Sequence, residues 1–154
     1  MRLELQVNGR PVVREIDPQE LLLDFLRDRL GLTGAKRSCE MQVCGTCTVL
    51  VDRRPVSSCC FLAADAEDRE VLTVEGLAER AEFARLEEAF TRHAALQCGF
   101  CTPGMLLTVA ALLETGELTS ADEVKRSLNG NLCRCTGYRG IYEAVCDLAG
   151  VVTA

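Results

Sequence analysis

The sequence predicts an α+β fold in two parts, a strand-rich part over residues 1–76 and an all-helical part over residues 77–154. Three observations point there. Apolar residues alternate over residues 2–7 and Asn8-Gly9 follows, a period of two with a hairpin turn behind it. After Gly76 the apolar spacing changes to the three-and-four rhythm of helices. Each part also carries four cysteines, and neither set looks like a disulfide framework.

The elements follow in order. Leu3, Leu5 and Val7 alternate with Arg2, Glu4 and Gln6, which predicts a half-buried strand. A second strand runs over residues 11–16. Asp17-Pro18-Gln19-Glu20 reads as a helix start, with Asp17 as cap, Pro18 in the first turn and Glu20 closing a capping box. That helix carries Leu21, Leu22, Phe25, Leu26 and Leu30 on one face and stops at Gly31. Strands are expected over 46–51, 55–58 and 71–74, with a turn at Asp52-Arg53 and a loop through the acidic run 64–70. In the second part, helices are expected over 82–93, over 102–115 from Thr102-Pro103 to Gly116, from the Ser120/Glu123 capping box to Leu128, and over 136–149. Four helices with short connections suggest a bundle.

Composition narrows the function classes. Net charge is −6, with 23 acidic against 17 basic residues, which argues against nucleic acid as the main partner. His93 is the single histidine, and a helix-end position on the surface is expected for it. The first residues do not read as a signal peptide, with no apolar stretch and no twin arginine, and no apolar run approaches the roughly 18 residues of a membrane span. A cytoplasmic chain with no transmembrane segment is therefore expected. In such a reducing compartment, ten cysteines favour metal or redox chemistry over disulfides.

The first set reads C-x4-C-x2-C-x11-C: Cys39, Cys44, Cys47 and Cys59. Three ligands crowd one loop, the spacing of plant-type [2Fe–2S] ferredoxins. Loop N–H groups are expected to point at the sulfurs, and Gly45 allows close approach. Zinc or free thiols are the alternative, but zinc prefers paired short loops. Cys60 is the other candidate for fourth ligand, and in an extended segment only one of the two neighbours faces the loop. The second set reads C-x2-C-x31-C-x-C: Cys98, Cys101, Cys133 and Cys135. Its spacing admits structural zinc as well as iron–sulfur. Both of its pairs precede expected helix starts, where N–H groups and the dipole stabilise thiolates. Lys36-Arg37 either offsets cluster charge or is solvated. Phe100 is expected to shield the site and join the core, and Cys60 and Cys146 to pack as small apolar residues.

Three segments carry a resemblance: CEMQVCGTCTV from Cys39, LQCGFCTPGM from Leu96 and LNGNLCRCTGYRGI from Leu128. Together they resemble the iron–sulfur subunit of the molybdenum hydroxylases, the xanthine dehydrogenase, aldehyde oxidoreductase and carbon monoxide dehydrogenase family. The resemblance spans nearly the whole chain. It implies an N-terminal β-grasp ferredoxin-like domain and an all-α four-helix-bundle domain, each with a [2Fe–2S] cluster. It favours Cys59 over Cys60, through Val56-Ser57-Ser58-Cys59. It implies that Gln97 and Cys135 lie at the molybdopterin cofactor of a large subunit, and that FAD sits in a medium subunit, in a dimer of heterotrimers. Electrons would run from molybdenum through the second set and then the first to FAD. The substrate stays open between carbon monoxide, an aldehyde, a purine and another N-heterocycle. A free-standing two-cluster ferredoxin and a zinc-stabilised interaction module are the alternatives. The chain departs from the pattern at Gln42, at Arg53 and at Ala94, where the family commonly has glycine.

Overall fold

The computed structural model describes residues 1–152. β1 (Arg2–Val7) and β2 (Arg10–Glu15) form the expected hairpin, with Val7 opposite Arg10. Asn8 and Gly9 take φ of 53° and 74°, as a type I′ turn requires. β1 buries Leu3, Leu5 and Val7 and exposes the residues between them. β2 is an edge strand, and its arginines and Pro11 suit that place because they discourage further pairing.

β3 (Thr48–Val51), β4 (Arg54–Ser57) and β5 (Glu70–Leu72) complete one sheet in the order β2-β1-β5-β3-β4. β5 lies parallel to β1 and antiparallel to β3. Successive side chains on a strand face opposite ways. Val49, Val51 and Val71 therefore join the core of the first part, while Leu50 and Leu72 turn to the helices of the second. Burial on both faces explains why β3 reads as an unbroken run, TVLV, rather than an alternation.

The first helix starts later than expected. Residues 17–20 form a turn closed by Glu20 N–H on the Asp17 carbonyl, 2.9 Å. Leu21 pairs with Leu62 in an isolated bridge, flanked by Leu22 N–H to Phe61 O and Ala63 N–H to Glu20 O, both 2.8 Å. That pairing holds Leu21 extended, so α1 (Leu22–Asp24) begins uncapped and runs on as one π-helical turn, Phe25–Arg29. Glu20 makes no capping box and instead takes Arg29 at 3.0 and 3.1 Å. The end is as expected: Gly31 is left-handed at 70° and Leu32 N–H reaches the Leu26 carbonyl.

A short helix, α2 (Val74–Ala78), occupies the segment where a strand was expected to end. Asn8 clamps its start. The Asn8 carboxamide accepts from Thr73 N–H at 2.9 Å and donates to Thr73 Oγ1 at 3.0 Å, and a Cβ at Gly76 would overlap it. α3 (Phe83–Arg92), α4 (Thr102–Thr115) and α5 (Ala121–Ser127) follow near their expected positions, with Ser120 Oγ accepting from Glu123 N–H at 3.3 Å. α6 (Arg139–Ala149) starts three residues late, because Gly137 and Tyr138 are both left-handed. No helix among the described residues is long and apolar enough to cross a membrane.

Gln42, Arg53 and Ala94 have φ of 61°, 66° and 49°. The three departures from the family pattern thus all fall where the backbone favours glycine. A left-handed L-residue costs about 1–2 kcal/mol, and glycine costs about 0.5–1 kcal/mol in chain entropy. Ala94→Gly is therefore expected to stabilise the chain by roughly 0.5–1 kcal/mol. Gly116→Ala, at φ 68° with open space around it, is expected to destabilise. Thermal unfolding followed by circular dichroism checks both, and a lower midpoint for Ala94→Gly would contradict the strain argument.

Candidate metal centres

The loop between α1 and β3 carries three cysteines of the first set. Lys36 N–H donates to the Thr46 carbonyl at 2.9 Å and pins its base. Arg37 ion-pairs with Asp24 and with Glu40, and the Lys36 ammonium sits on the Thr33 carbonyl at 2.8 Å. Both side chains thus have partners in the loop and on α1. Glu40, Gln42 and Gly45 are left-handed. A chain that alternates hand turns successive N–H groups into one concavity, suited to an anion. Here the concavity holds sulfur. The N–H groups of Met41, Val43 and Cys44 point at Cys39 and lower its thiol to about 6 from an ordinary 9. Cys44 N–H lies 3.4 Å from that sulfur.

Cys59 comes from a 3₁₀ turn, Ser58–Cys60, after β4. It is buried and faces Cys47. Burial, with Cys59 beside it, pushes the Cys47 thiol up to about 11. Cys60 departs from expectation: it is exposed, not packed. In a 3₁₀ turn neighbours do not alternate as in a strand, so the Cys60 sulfur also lies at the loop, 3.8 Å from the Glu40 carbonyl and 3.6 Å from the Cys59 sulfur. Cys146 is fully buried in the helical core, as expected.

The second set gathers at the start of α4 and in the irregular segment before α6. Cys98 and Cys135 approach to 3.5 Å, sulfur to sulfur. Cys101 and Cys133 form the other pair. Burial pushes the Cys101 thiol up to about 12, and Cys133 beside it adds to that. Burial also raises Cys133, but hydrogen bonds from the Thr136 hydroxyl, the Thr136 and Cys135 N–H groups and the Cys101 thiol outweigh it and bring it down. The Thr136 end lies on no helix start, so only Cys98 and Cys101 have the helix N-terminus expected for both pairs. Gln97 is exposed, next to Cys98. Phe100 is 45% exposed and sits on the rim of the site, not in the core. His93 caps the end of α3, as expected, with Nε2 3.1 Å from Asp147.

The two sets meet in one cleft of about 420 Å³. Cys98, Cys101, Cys133 and Cys135 line it, and so does Cys44 of the first loop. Backbone contacts fix this. Leu132 N–H donates to the Cys44 carbonyl at 2.8 Å, and the Asn131 carboxamide donates to the Gly45 carbonyl at 3.2 Å. A Cβ on Gly104 would overlap the Gly45 carbonyl oxygen, and one on Gly45 would overlap that of Gly130. Gly104, Asn131, Thr136 and Tyr138 were not singled out from the sequence. Their signal is adjacency: each lies within five residues of a predicted ligand.

Within each set neighbouring thiols face one another, Cys39 with Cys44, Cys47 with Cys59, Cys98 with Cys135 and Cys101 with Cys133, and Cys44 also acts on Cys47 and Cys98 on Cys101. Among the described residues no three Cys, His, Asp or Glu side chains gather to hold a single metal ion. Two thiols per iron is what a two-iron cluster asks of each set, and four round one point is what zinc asks.

Comparison with known proteins agrees. Residues 5–78 match the model of a 2Fe-2S iron-sulfur cluster binding domain, and residues 73–146 match that of a [2Fe-2S] binding domain. The nicotine 6-hydroxylase small subunit of Paenarthrobacter nicotinovorans is 47% identical over 99% of this chain and 92% of its own. The chain belongs to the iron–sulfur subunits of the molybdenum hydroxylases. The xanthine dehydrogenase iron-sulfur-binding subunit of Escherichia coli O157:H7 is 40% identical over 94% of this iron–sulfur subunit and 92% of its own length. In the crystal structure of quinoline 2-oxidoreductase from Pseudomonas putida 86, one chain superposes with a TM-score of 0.90 at 47% identity. The match covers 97% of this iron–sulfur subunit and 94% of that chain.

In iron-free subunit, the thiol shifts predict a split in reactivity. Cys39, a depressed acid, is expected to be alkylated with a half-maximal rate near pH 6, and Cys101 only well above neutral pH. Peptide mapping after timed iodoacetamide treatment reads the two separately. A common midpoint between pH 8 and 9 would contradict the folded geometry.

Proposed function

We propose that this subunit carries electrons from a molybdopterin centre in a large subunit to FAD in a medium subunit, through two [2Fe–2S] clusters. The observation that carries the reading is the shared cleft, which brings all four thiols of the second set to Cys44 of the first. Cys39, Cys44, Cys47 and Cys59 would hold the first cluster, and Cys98, Cys101, Cys133 and Cys135 the second. The donor chemistry fits: four sulfurs per set, paired, with loop N–H groups aimed at the first and a hydroxyl at the second. Bound clusters supply one-electron transfer, which no side chain of this subunit offers by itself.

The protein's part is to bind, orient and exclude water. Burial of Cys44, Cys47 and Cys59 keeps the first site dry on its inner side, while Met41 and Val43 stand exposed on the outer side. Phe100, Leu132 and Tyr138 form an exposed apolar rim about the second set, and Leu96 is exposed two residues before Cys98. We assign that rim to the large subunit, with Gln97 and Cys135 toward the pterin, and the Met41–Val43 side to the flavin subunit. The helices α3 to α6 would act as a four-helix bundle behind the second set, with residues 1–76 and 77–154 as its two domains. A cytoplasmic dimer of heterotrimers is the assembly we adopt. Relatives named for nicotine, xanthine and quinoline favour an N-heterocycle as the substrate of the complex, bound by the large subunit.

An ordinary free-standing ferredoxin lacks the helical part, and relatives named as subunits favour the subunit reading over a free ferredoxin. The match of both halves to 2Fe-2S binding domains favours iron–sulfur over zinc. The subunit is expected to carry about four iron and about four acid-labile sulfide, with two paramagnetic signals on reduction. Cys59→Ala is expected to lose about half the iron and one signal, and Cys60→Ala to keep both. Iron analysis with electron paramagnetic resonance decides this. Zinc-loaded, colourless protein would sink the redox reading, and loss of a signal in Cys60→Ala alone would move the ligand by one residue.

A further inference from the structure

Cys133 is the buried member of the second set, and one hydroxyl is aimed at it. Thr136 Oγ1 lies 3.1 Å from the Cys133 sulfur as the donor. Tyr138 N–H donates to Thr136 Oγ1 at 3.1 Å and leaves the hydroxyl proton for the sulfur, since a metal-ligating thiolate has no proton to give back. The Tyr138 hydroxyl in turn accepts from Cys133 N–H at 2.9 Å. One residue therefore grips both Thr136 and Cys133, from a left-handed backbone at φ 68° that follows another at Gly137. A bulky residue held at such a φ is strained, and such strain persists where the surroundings demand the geometry.

The first set has a similar contact with a different outcome. Thr46 Oγ1 lies 3.3 Å from the Cys44 sulfur but also donates to the Lys36 carbonyl at 3.2 Å. Its single proton serves an oxygen, and little of it is left for sulfur. The Thr136 proton has the Cys133 sulfur as its acceptor.

We propose that the Thr136 hydroxyl, locked by Tyr138, raises the reduction potential of the second-set cluster by donating to the Cys133 sulfur. Thr136 is thus a positioning residue for electron entry. The inference rests on the reading of the second set as a [2Fe–2S] site. A hydrogen bond to a ligand sulfur stabilises the more negative, reduced state more than the oxidised one. Cys133 is buried, so water does not replace that donor if it is lost. No bond breaks and the proton stays on Thr136 Oγ1. The bond therefore changes the driving force for arrival of one electron and not its route.

The test is a redox titration of the assembled complex, followed by electron paramagnetic resonance. The first-set signal serves as an internal reference. Thr136→Val keeps the shape and removes the donor. It is expected to lower the reduced-to-oxidised ratio of the second-set signal by about tenfold at fixed ambient potential, which is about 59 mV for a one-electron couple. Thr136→Ser is expected to restore the wild-type midpoint, and the first-set midpoint is expected to stay put in both. If Thr136→Val loses the second signal, Thr136→Ala is titrated in its place with the same expectation. A midpoint unmoved by removal of the hydroxyl, or moved equally by Ser, overturns the inference. Absence of a second iron–sulfur signal in the wild-type complex would instead overturn the reading beneath it.

Discussion

The arrangement of this molecule depends on a backbone contact at Cys44-Gly45. Three segments converge there: the thiol loop, the first turn of α4 at Gly104, and the stretch Gly130–Leu132 ahead of Cys133. Glycine is needed at both 45 and 104, because a methyl group on either would strike a carbonyl oxygen of the facing backbone. Cys44 and Cys47 flank Gly45, Cys101 precedes Gly104, and Cys133 follows Leu132. Closing that contact therefore sets the two thiol sets against each other. The surrounding contacts support it. Leu50 and Leu72 carry the sheet onto α4, Asn8 ties the first hairpin to α2, and Arg53 pairs with Glu114 of α4 at 2.8 Å. The last is an exposed ion pair, worth little on its own. The buried leucines and the glycine contact carry the interface.

Much of this was legible in the sequence, for identifiable reasons. Cysteine spacing is set by how a short loop wraps a small ligand, so the first set could be read directly. The second set needed the words around it, because its ligands come from distant segments whose meeting depends on Gly45 and Gly104. The departures at Gln42, Arg53 and Ala94 proved informative, since all three lie at left-handed positions. What failed was local pattern overridden by pairing. Asp17 and Glu20 have the residues of a capping box, yet the Leu21–Leu62 bridge holds the chain extended past them. Gly137 and Tyr138 delay α6, because Tyr138 is needed at Thr136 and Cys133 rather than in a helix. Cys60 was assigned to packing, and a 3₁₀ turn puts it at the surface instead.

The electrostatics follow the same division. The first set is held by backbone: loop N–H groups depress Cys39, at the cost of left-handed Glu40 and Gln42. The second is held by side chains on an irregular segment, with a hydroxyl on Cys133 and a tyrosine behind it. In each set a lowered thiol, Cys39 or Cys133, accompanies one raised by burial, Cys47 or Cys101. Metal ligation needs thiolates, so binding must displace a proton most of all from the raised thiols.

The Gly45 contact sets the two thiol sets side by side, with Cys44 in the cleft of the second. Magnetic interaction between the two centres in the fully reduced complex is the most direct test of that. Low-temperature electron paramagnetic resonance is predicted to show splitting or broadening of both signals, present in the wild type and lost in Gly104→Ala, whose methyl group forces the contact open. Two sharp, magnetically isolated signals in the wild type would contradict it.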